Sequence, residues 1–260
     1  VSPSVDRQAV AQDLYVQRGA ADASHRCEVN SRLGNFDLLE AVAAALKLTP
    51  GDVVVDVGCG SGQHLIRFSK SVQPGGDARG FDLSPDAVKA ARQRGVSAEV
   101  ADAAELPLPA EFADALACTF AIYYHPSLDD VIREWLRVLK PGGRLAVSGP
   151  AEDTNKELYA FHREATGQDP SDADRMALGY VEGPVCRALA AAPFEEVQLQ
   201  VFTNLIRFPD SASFLAYWKS TSLFARTPGA KVESGEELLK TSPRPLTITK
   251  RVALVSARRR

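Results

Sequence analysis

The stretch Val53-Val54-Val55-Asp56-Val57-Gly58-Cys59-Gly60-Ser61-Gly62 constrains this chain more than any other. Nearly continuous apolar, β-branched positions fit a parallel strand buried on both faces. An acid interrupts the strand's end, and glycines follow at alternate positions. From Gln63 to Lys70 the pattern turns helical, with Leu65, Ile66 and Phe68 on the apolar side. A strand, a glycine turn and a helix N-terminus let backbone approach a ligand with no Cβ in the way. A dinucleotide-binding fingerprint needs its third glycine at position 63. Gln63 stands there instead and the third glycine is Gly62, which speaks against a nicotinamide oxidoreductase.

The next elements repeat the strand–helix alternation. Pro74-Gly75-Gly76 turns the chain into a second strand, Ala78 to Leu83, with an acid at its end. Asp82 lies about 20 residues beyond the glycine loop, where an acid meets ribose hydroxyls in dinucleotide folds. A carboxylate suits a cis-diol because it accepts both hydrogen bonds. Ser84-Pro85 starts the following helix as N-cap and first residue. Val96 to Val100 is the third strand, followed by Ala101-Asp102-Ala103. The fourth, Ala113 to Phe120, delivers Ala121-Ile122-Tyr123-Tyr124-His125-Pro126. A helix from Leu128 to Leu139 then runs into Lys140-Pro141-Gly142-Gly143, a helix stop and turn before the fifth strand, Leu145 to Ser148.

Two runs, Asp56 to Gly62 and Arg137-Val138-Leu139-Lys140-Pro141-Gly142-Gly143, together resemble the class I S-adenosylmethionine-dependent methyltransferases, in their small-molecule, ubiquinone-biosynthesis-like branch. The resemblance covers Val53 to Gly149. It implies that Gly58, Gly60 and Gly62 lie against the methionine part of S-adenosylmethionine, and that Asp56 helps hold its charged amino acid end. It implies further that Asp82, with Leu83 beside it, meets the ribose. Asp102 accepts from the adenine amine and Ala103 stacks on the ring. Thr119 belongs to the same cofactor site, and Arg32 matches an arginine that relatives keep on the cofactor carboxylate. Relatives carry a histidine pair where this chain has Tyr123-Tyr124, with His125 one residue along. His125 and Tyr124 are therefore the catalytic candidates, His125 as a base and Tyr124 to orient a nucleophile. Tyr15, Tyr123 and Trp218 are candidate substrate walls, flat and apolar with polar tips.

The expected fold is α/β: a doubly wound, seven-stranded, mostly parallel Rossmann-like sheet in the order 3-2-1-4-5-7-6, with a helical lid. Ligands bind such sheets at the topological switch point, where the glycine loop lies. The expected organisation is a single domain, 1–260. Its lid is formed by the N-terminal helical segment, 1–50, and a helical insertion, 151–192. The expected activity is methyl transfer to a small-molecule acceptor, a bacterial natural product or glycoside of secondary metabolism, with S-adenosylhomocysteine as product. An Asn/Asp-Pro-Pro-Tyr-like run after strand four would mark a nucleic-acid base methyltransferase, and Thr119-Phe120-Ala121-Ile122 is not one. A cofactor-retaining protein that does not methylate, such as a cyclase on this fold, stays open as the alternative.

Composition narrows the partners. A formal net charge of -3 over 260 residues supplies no field for nucleic acid or anionic lipid. No apolar run nears the roughly 18–20 residues of a membrane span, and the first residues lack a signal-peptide core. Cys27, Cys59, Cys118 and Cys186 form no C-x-x-C pair, and His25, His64, His125 and His162 show no metal spacing. That suits free thiols in a cytoplasmic protein without a metal.

The flanks are less patterned. Val5 to Gln17 has loose helical spacing, and Phe36 to Leu48 marks an amphipathic helix stopped by Thr49-Pro50-Gly51. Asn155 to Thr166 and Val181 to Ala192 are expected helices around a polar loop, Gly167 to Gly179. Glu196 to Phe208 is the expected sixth strand, with Val197, Leu199 and Val201 on its apolar side. Ser211 to Ala225 is an aromatic-rich helix and Leu246 to Val255 the final strand. Arg258-Arg259-Arg260 is expected as a frayed, solvated end.

Overall fold

The computed structural model describes residues 25, 26 and 28–260; the expected helix Val5 to Gln17 and the candidate Tyr15 lie outside them. In chain order the elements are α1 (Leu38–Leu46), β1 (Val53–Val57), α2 (Gln63–Ser71), β2 (Asp77–Asp82), α3 (Pro85–Gln93), β3 (Ser97–Val100), β4 (Ala113–Thr119), α4 (Leu128–Val138) and β5 (Leu139–Pro150). They continue as α5 (Lys156–Thr166), α6 (Asp172–Arg175), α7 (Cys186–Ala191), β6 (Phe194–Arg207), α8 (Ser211–Lys219), α9 (Ser222–Arg226), α10 (Val232–Thr241) and β7 (Thr247–Arg259). A 3-10 turn, Ile122–Tyr124, follows β4, and a π-helical turn, Val181–Val185, leads into α7.

The sheet runs β3-β2-β1-β4-β5-β7-β6. Strands β1 to β5 pair in parallel, and β7 is antiparallel to both its neighbours. This is the expected doubly wound topology. Local chemistry sets the joints. Ser84 accepts from the Ala87 N–H to cap α3, with Pro85 in its first turn. Lys47 takes a left-handed conformation and closes α1 onto the Ala44 carbonyl.

Period-two alternation divides the apolar residues between two sheet faces. Val55, Val57, Leu116, Cys118, Leu145 and Val147 face α4, whose Trp135 is fully buried. Val54, Ala78, Ala115, Ala117 and Ala146 face α1 and α2, packed by Val42, Leu46, Leu65 and Phe68. A third apolar cluster joins Leu158 and Phe161 of α5 to Phe214, Leu215 and Trp218 of α8 and Leu239 of α10. This cap stands on the outer end of β6 and β7 through Ile206 and Ile248. The insertion expected at 151–192 thus divides. Its α5 joins the cap, while Val181, Val185 and Leu189 pack into the sheet core.

Three expectations need correction. Leu199 is 43% exposed, because β6 is the sheet's edge and leaves that residue uncovered. The helix expected from Ser211 to Ala225 breaks at Ser220-Thr221, where the Thr221 hydroxyl accepts from Phe224 N–H and caps a new helix. Helix α10 had no expectation at all. Arg258 and Arg259 are not frayed: they continue β7 opposite Glu195 and Phe194, and their guanidinium groups donate to the Gly142 and Leu139 carbonyls.

Candidate functional site

The same alternation that fills the core places polar groups at the carboxyl ends of the central strands. Asp56 follows Val54 by two residues on β1, and Asp82 follows Ala78 by four on β2. Thr119 continues Ala115 and Ala117 on β4, and Ser148 continues Ala146 on β5. All therefore lie on the α1/α2 face, and the register sets Thr119 beside Ser148 and Asp56 beside Gly80 and Ala117. Asp56 is 1% exposed, and neither of its carboxylate oxygens has a hydrogen-bond partner among the described residues. The Thr119 and Ser148 hydroxyls are likewise buried without a partner among the described residues. Burial first, then the nearby Asp82 carboxylate, pushes the Asp56 carboxyl up to about 8.

The glycine loop lies over these groups. Gly58, Gly60 and Gly62 all take left-handed φ, 71°, 54° and 81°. A Cβ on Gly58 would meet the Ala121 Cβ at 2.2 Å, so this position also needs glycine to clear the loop after β4. Asp82 ties the loop down: one carboxylate oxygen accepts from Gly60 N–H at 2.8 Å and the other from Ser84 N–H at 2.9 Å. Each oxygen keeps a further lone pair for a hydroxyl. Burial raises the Asp82 carboxyl, and the Ser84 and Gly60 N–H groups pull it back.

Next along the strand ends, Leu83 and Val100 are 48% and 50% exposed, and Val100 pairs in register with Asp82. They form an apolar ledge beside the Asp102–Glu105 turn, which carries Ala103. Asp102 Oδ1 accepts from Ala104 N–H at 2.8 Å. His125 Nε2 lies 3.0 Å from the same oxygen. A cavity of 580 Å³ opens here, lined by Asp102, Ala104, Glu105, His125, Arg133 and Arg137. Another cavity, 820 Å³, lies at the opposite strand ends between α1 and the β6–β7 edge, far from the glycine loop. Chemistry, not size, marks the site.

These residues fit the cofactor that the resemblance implies. A buried, unpartnered carboxylate needs a cationic or donor-rich group beside it. The ledge suits a flat ring, and the glycine loop leaves room for backbone contact. Among the described residues no three His, Cys, Asp or Glu groups come together as a metal site.

The catalytic candidates fall differently. Both ring nitrogens of His125 have hydrogen-bond partners. Its Nδ1 faces the Ser127 backbone, 3.1 Å from the N–H and 2.8 Å from the carbonyl. Whichever of these it bonds, the imidazole is either the Nε2–H tautomer or the imidazolium, and in both Nε2 donates to Asp102. No ring nitrogen is left to take a proton from a substrate. Tyr124 is held among the cap's polar groups. Burial pushes its phenol up, against Arg226, Arg26 and a hydrogen bond from Tyr123, so it stays protonated. Arg226 pairs with Asp174 at 3.3 Å, and Ser171 Oγ donates to that carboxylate at 2.6 Å. Burial and Asp174 push the Tyr159 phenol up to about 12.

The remaining candidates are structural or peripheral. Trp218 is fully buried, its indole N–H donating to His162 Nδ1 at 3.1 Å, so it is cap core and not a substrate wall. Tyr123 is 4% exposed and packs among the sheet core. Arg32 is exposed and forms no ion pair among the described residues, so nothing ties it to the glycine loop. Sequence reasoning missed Ser148, although on β5 it stands in register beside Thr119, the last residue of β4. It also missed Asn204, a polar residue within an alternating strand. Asn204 accepts from the Asn35 and Phe36 N–H groups and donates to the Asn30 carbonyl, docking the segment before α1 onto β6. Asp174, Arg226 and Tyr159 carried no local signal, since only the cap brings them together.

Residues 55–147 match the family described as a methyltransferase domain. A ubiquinone/menaquinone biosynthesis C-methyltransferase of Caulobacter sp. (strain K31) is 34% identical over 135 residues, covering 46% of this chain and 54% of that protein. A nocamycin O-methyltransferase of Saccharothrix syringae is 29% identical over 152 residues, covering 56% and 54%. The chain thus spans about half the length of the curated relatives it matches. Among solved structures, a [4+2]-cyclase shares the fold with a TM-score of 0.56 at 24% identity, covering 85% of this chain and 78% of the other.

Proposed function

We propose, on the premise that this chain carries a class I S-adenosylmethionine-dependent methyltransferase domain, that it transfers the methyl group to a small-molecule acceptor. Asp56 carries the reading. A carboxylate buried without any partner is costly unless a ligand's charge meets it, and the ammonium of the cofactor's amino acid end supplies that charge. The cofactor's sulfonium supplies an already activated methyl group, so the protein's share is to bind, align and exclude water.

In this reading Thr119 adds a hydroxyl beside Asp56, and Asp82 accepts from the ribose while holding Gly60. Leu83, Val100 and Ala103 cover the adenine, and Asp102 accepts from its amine. The acceptor enters between the turn after β4 and the cap, where Tyr124 offers a protonated phenol to an acceptor oxygen. Tyr159, Asp174 and Arg226 line the approach. The segment before α1, docked by Asn204, and the helices of 151–192 serve as the lid. A natural product or glycoside fits this mixed aromatic and polar lining, and the nocamycin relative lends support. The protein works in the cytoplasm, without nucleic acid as substrate.

Calorimetry tests the cofactor. Adenosylhomocysteine binds and NADH does not; the reverse sinks the proposal. Tyr124→Phe should cut kcat by about 10²-fold with cofactor affinity kept, if the phenol assists the reaction. A cofactor-retaining cyclase remains the second reading, because His125 is committed to Asp102 and leaves no histidine base at strand four. Conversion of substrate without stoichiometric adenosylhomocysteine would establish it.

A further inference from the structure

Both hydrogen bonds that the Asp102 carboxylate accepts fall on Oδ1, one from Ala104 N–H and one from His125 Nε2. Oδ2 accepts none from the described residues. The imidazole is itself fixed at its far nitrogen by Ser127, whose hydroxyl also caps α4 by accepting from Asp130 N–H. The His125 N–H in turn bonds the Ile122 carbonyl, closing the turn after β4. A chain of contacts therefore runs from the helix cap through the ring to one oxygen of one carboxylate. With two donors on Oδ1, the carboxylate cannot rotate freely, and Oδ2 is left as a pure acceptor.

We propose that His125 is a positioning residue for cofactor selection: it locks Asp102 so that Oδ2 meets the 6-amino group of the purine and repels a 6-oxo group. This rests on the cofactor reading of the site and goes beyond it. The adenine acceptor becomes a two-residue device, with its second member on the loop that also supplies Tyr124. A 6-oxo purine sets its own acceptor against Oδ2, and a locked carboxylate cannot swing away to relieve the repulsion. An unlocked one can turn and admit the wrong base.

The experiment compares the affinities of S-adenosylhomocysteine and S-inosylhomocysteine by calorimetry in the full-length protein, its His125→Ala variant and its His125→Gln variant. The glutamine amide can donate from near the Nε2 position. Wild type should prefer the adenosyl compound by at least about tenfold, as a site built around a hydrogen bond does. His125→Ala should lose most of that preference, and His125→Gln should keep most of it. Thermal melts check that the variants are folded; His125→Asn, which donates from a shorter stem, replaces alanine if that variant fails. Undiminished discrimination in folded His125→Ala overturns the proposal while leaving the cofactor reading intact. A wild type that binds neither compound overturns both.

Discussion

Asp56 should cost the ligand-free fold stability in a pH-dependent way, and Asp56→Asn should recover it. An unfolded aspartate titrates near 3.9; in the fold, burial and then Asp82 push Asp56 up to about 8. The groups around it offer no relief: besides Asp82 they are the Cys59 and Cys118 thiols, both buried and held neutral. Below about pH 4 the carboxyl is neutral in both states and costs nothing differential. Between about pH 4 and pH 8 the unfolded chain is ionised and the fold is not, so folding takes up a proton. Stability then falls by about 1.4 kcal/mol per pH unit, reaching at most about 4 kcal/mol at pH 7 and levelling off above pH 8. Asparagine keeps the shape and cannot ionise. The variant should melt with wild type near pH 4 and roughly 10–20 °C above it at pH 8, at roughly 2–4 °C per kcal/mol for a chain of this size. It should also bind adenosylhomocysteine more weakly, because asparagine cannot ionise against the cofactor's ammonium. Melting curves across that range, with and without ligand, read both effects. A melting-point gap that does not change with pH would refute the reasoning.

Asp82→Ala leaves the Gly60 and Ser84 N–H groups without their acceptor, so melting should fall and adenosylhomocysteine affinity should drop at least about tenfold. Unchanged affinity in a folded variant, measured by calorimetry, would remove Asp82 from the ribose site. Asn204→Leu removes three hydrogen bonds to the segment before α1, a loss of about 2–4 kcal/mol. Hydrogen exchange should speed up at residues 30–36 first; uniform acceleration across the sheet would contradict a local clamp. Turnover should survive EDTA, since the described residues hold no metal-ligand cluster. Loss of turnover restored by Mg²⁺ would contradict that.

The parts legible from sequence were those in which neighbours in the chain do the work. Val53 to Gly62 carries strand, switch point and loop in one run, and Ser84-Pro85 fixes the next helix by its own cap. Periodicity therefore gave the strands and set Asp56, Asp82 and Asp102 at their ends, while the strand order came with the family resemblance. The cap was hidden for the opposite reason. Helix α10 has few apolar residues, and Gly235 within it has low helix propensity; a Cβ there would meet Trp218 and Leu215 at 2.7 Å. Packing, not pattern, makes that helix. The pairing of His125 with Asp102 was hidden too, because the two are 23 residues apart and no spacing rule reveals that a ring nitrogen is already taken.

The order of synthesis does not follow the order of the sheet. Strand β7 is the last to be made, yet it sits between β5 and β6, pairing Leu145 with Ala257 and Ile206 with Ile248. Until it leaves the ribosome, β5 and the long β6 each present an unpaired ladder, and β5 must wait about a hundred residues for its partner. The nascent chain therefore carries an open slot one strand in from the edge of its future sheet. Any strand of fitting pattern, including one from a neighbouring copy, competes for that slot. A chain cut before Thr247 would keep every cofactor-contacting residue proposed above and still be expected to aggregate. Loss of the last strand is thus a defect of solubility before it is one of chemistry.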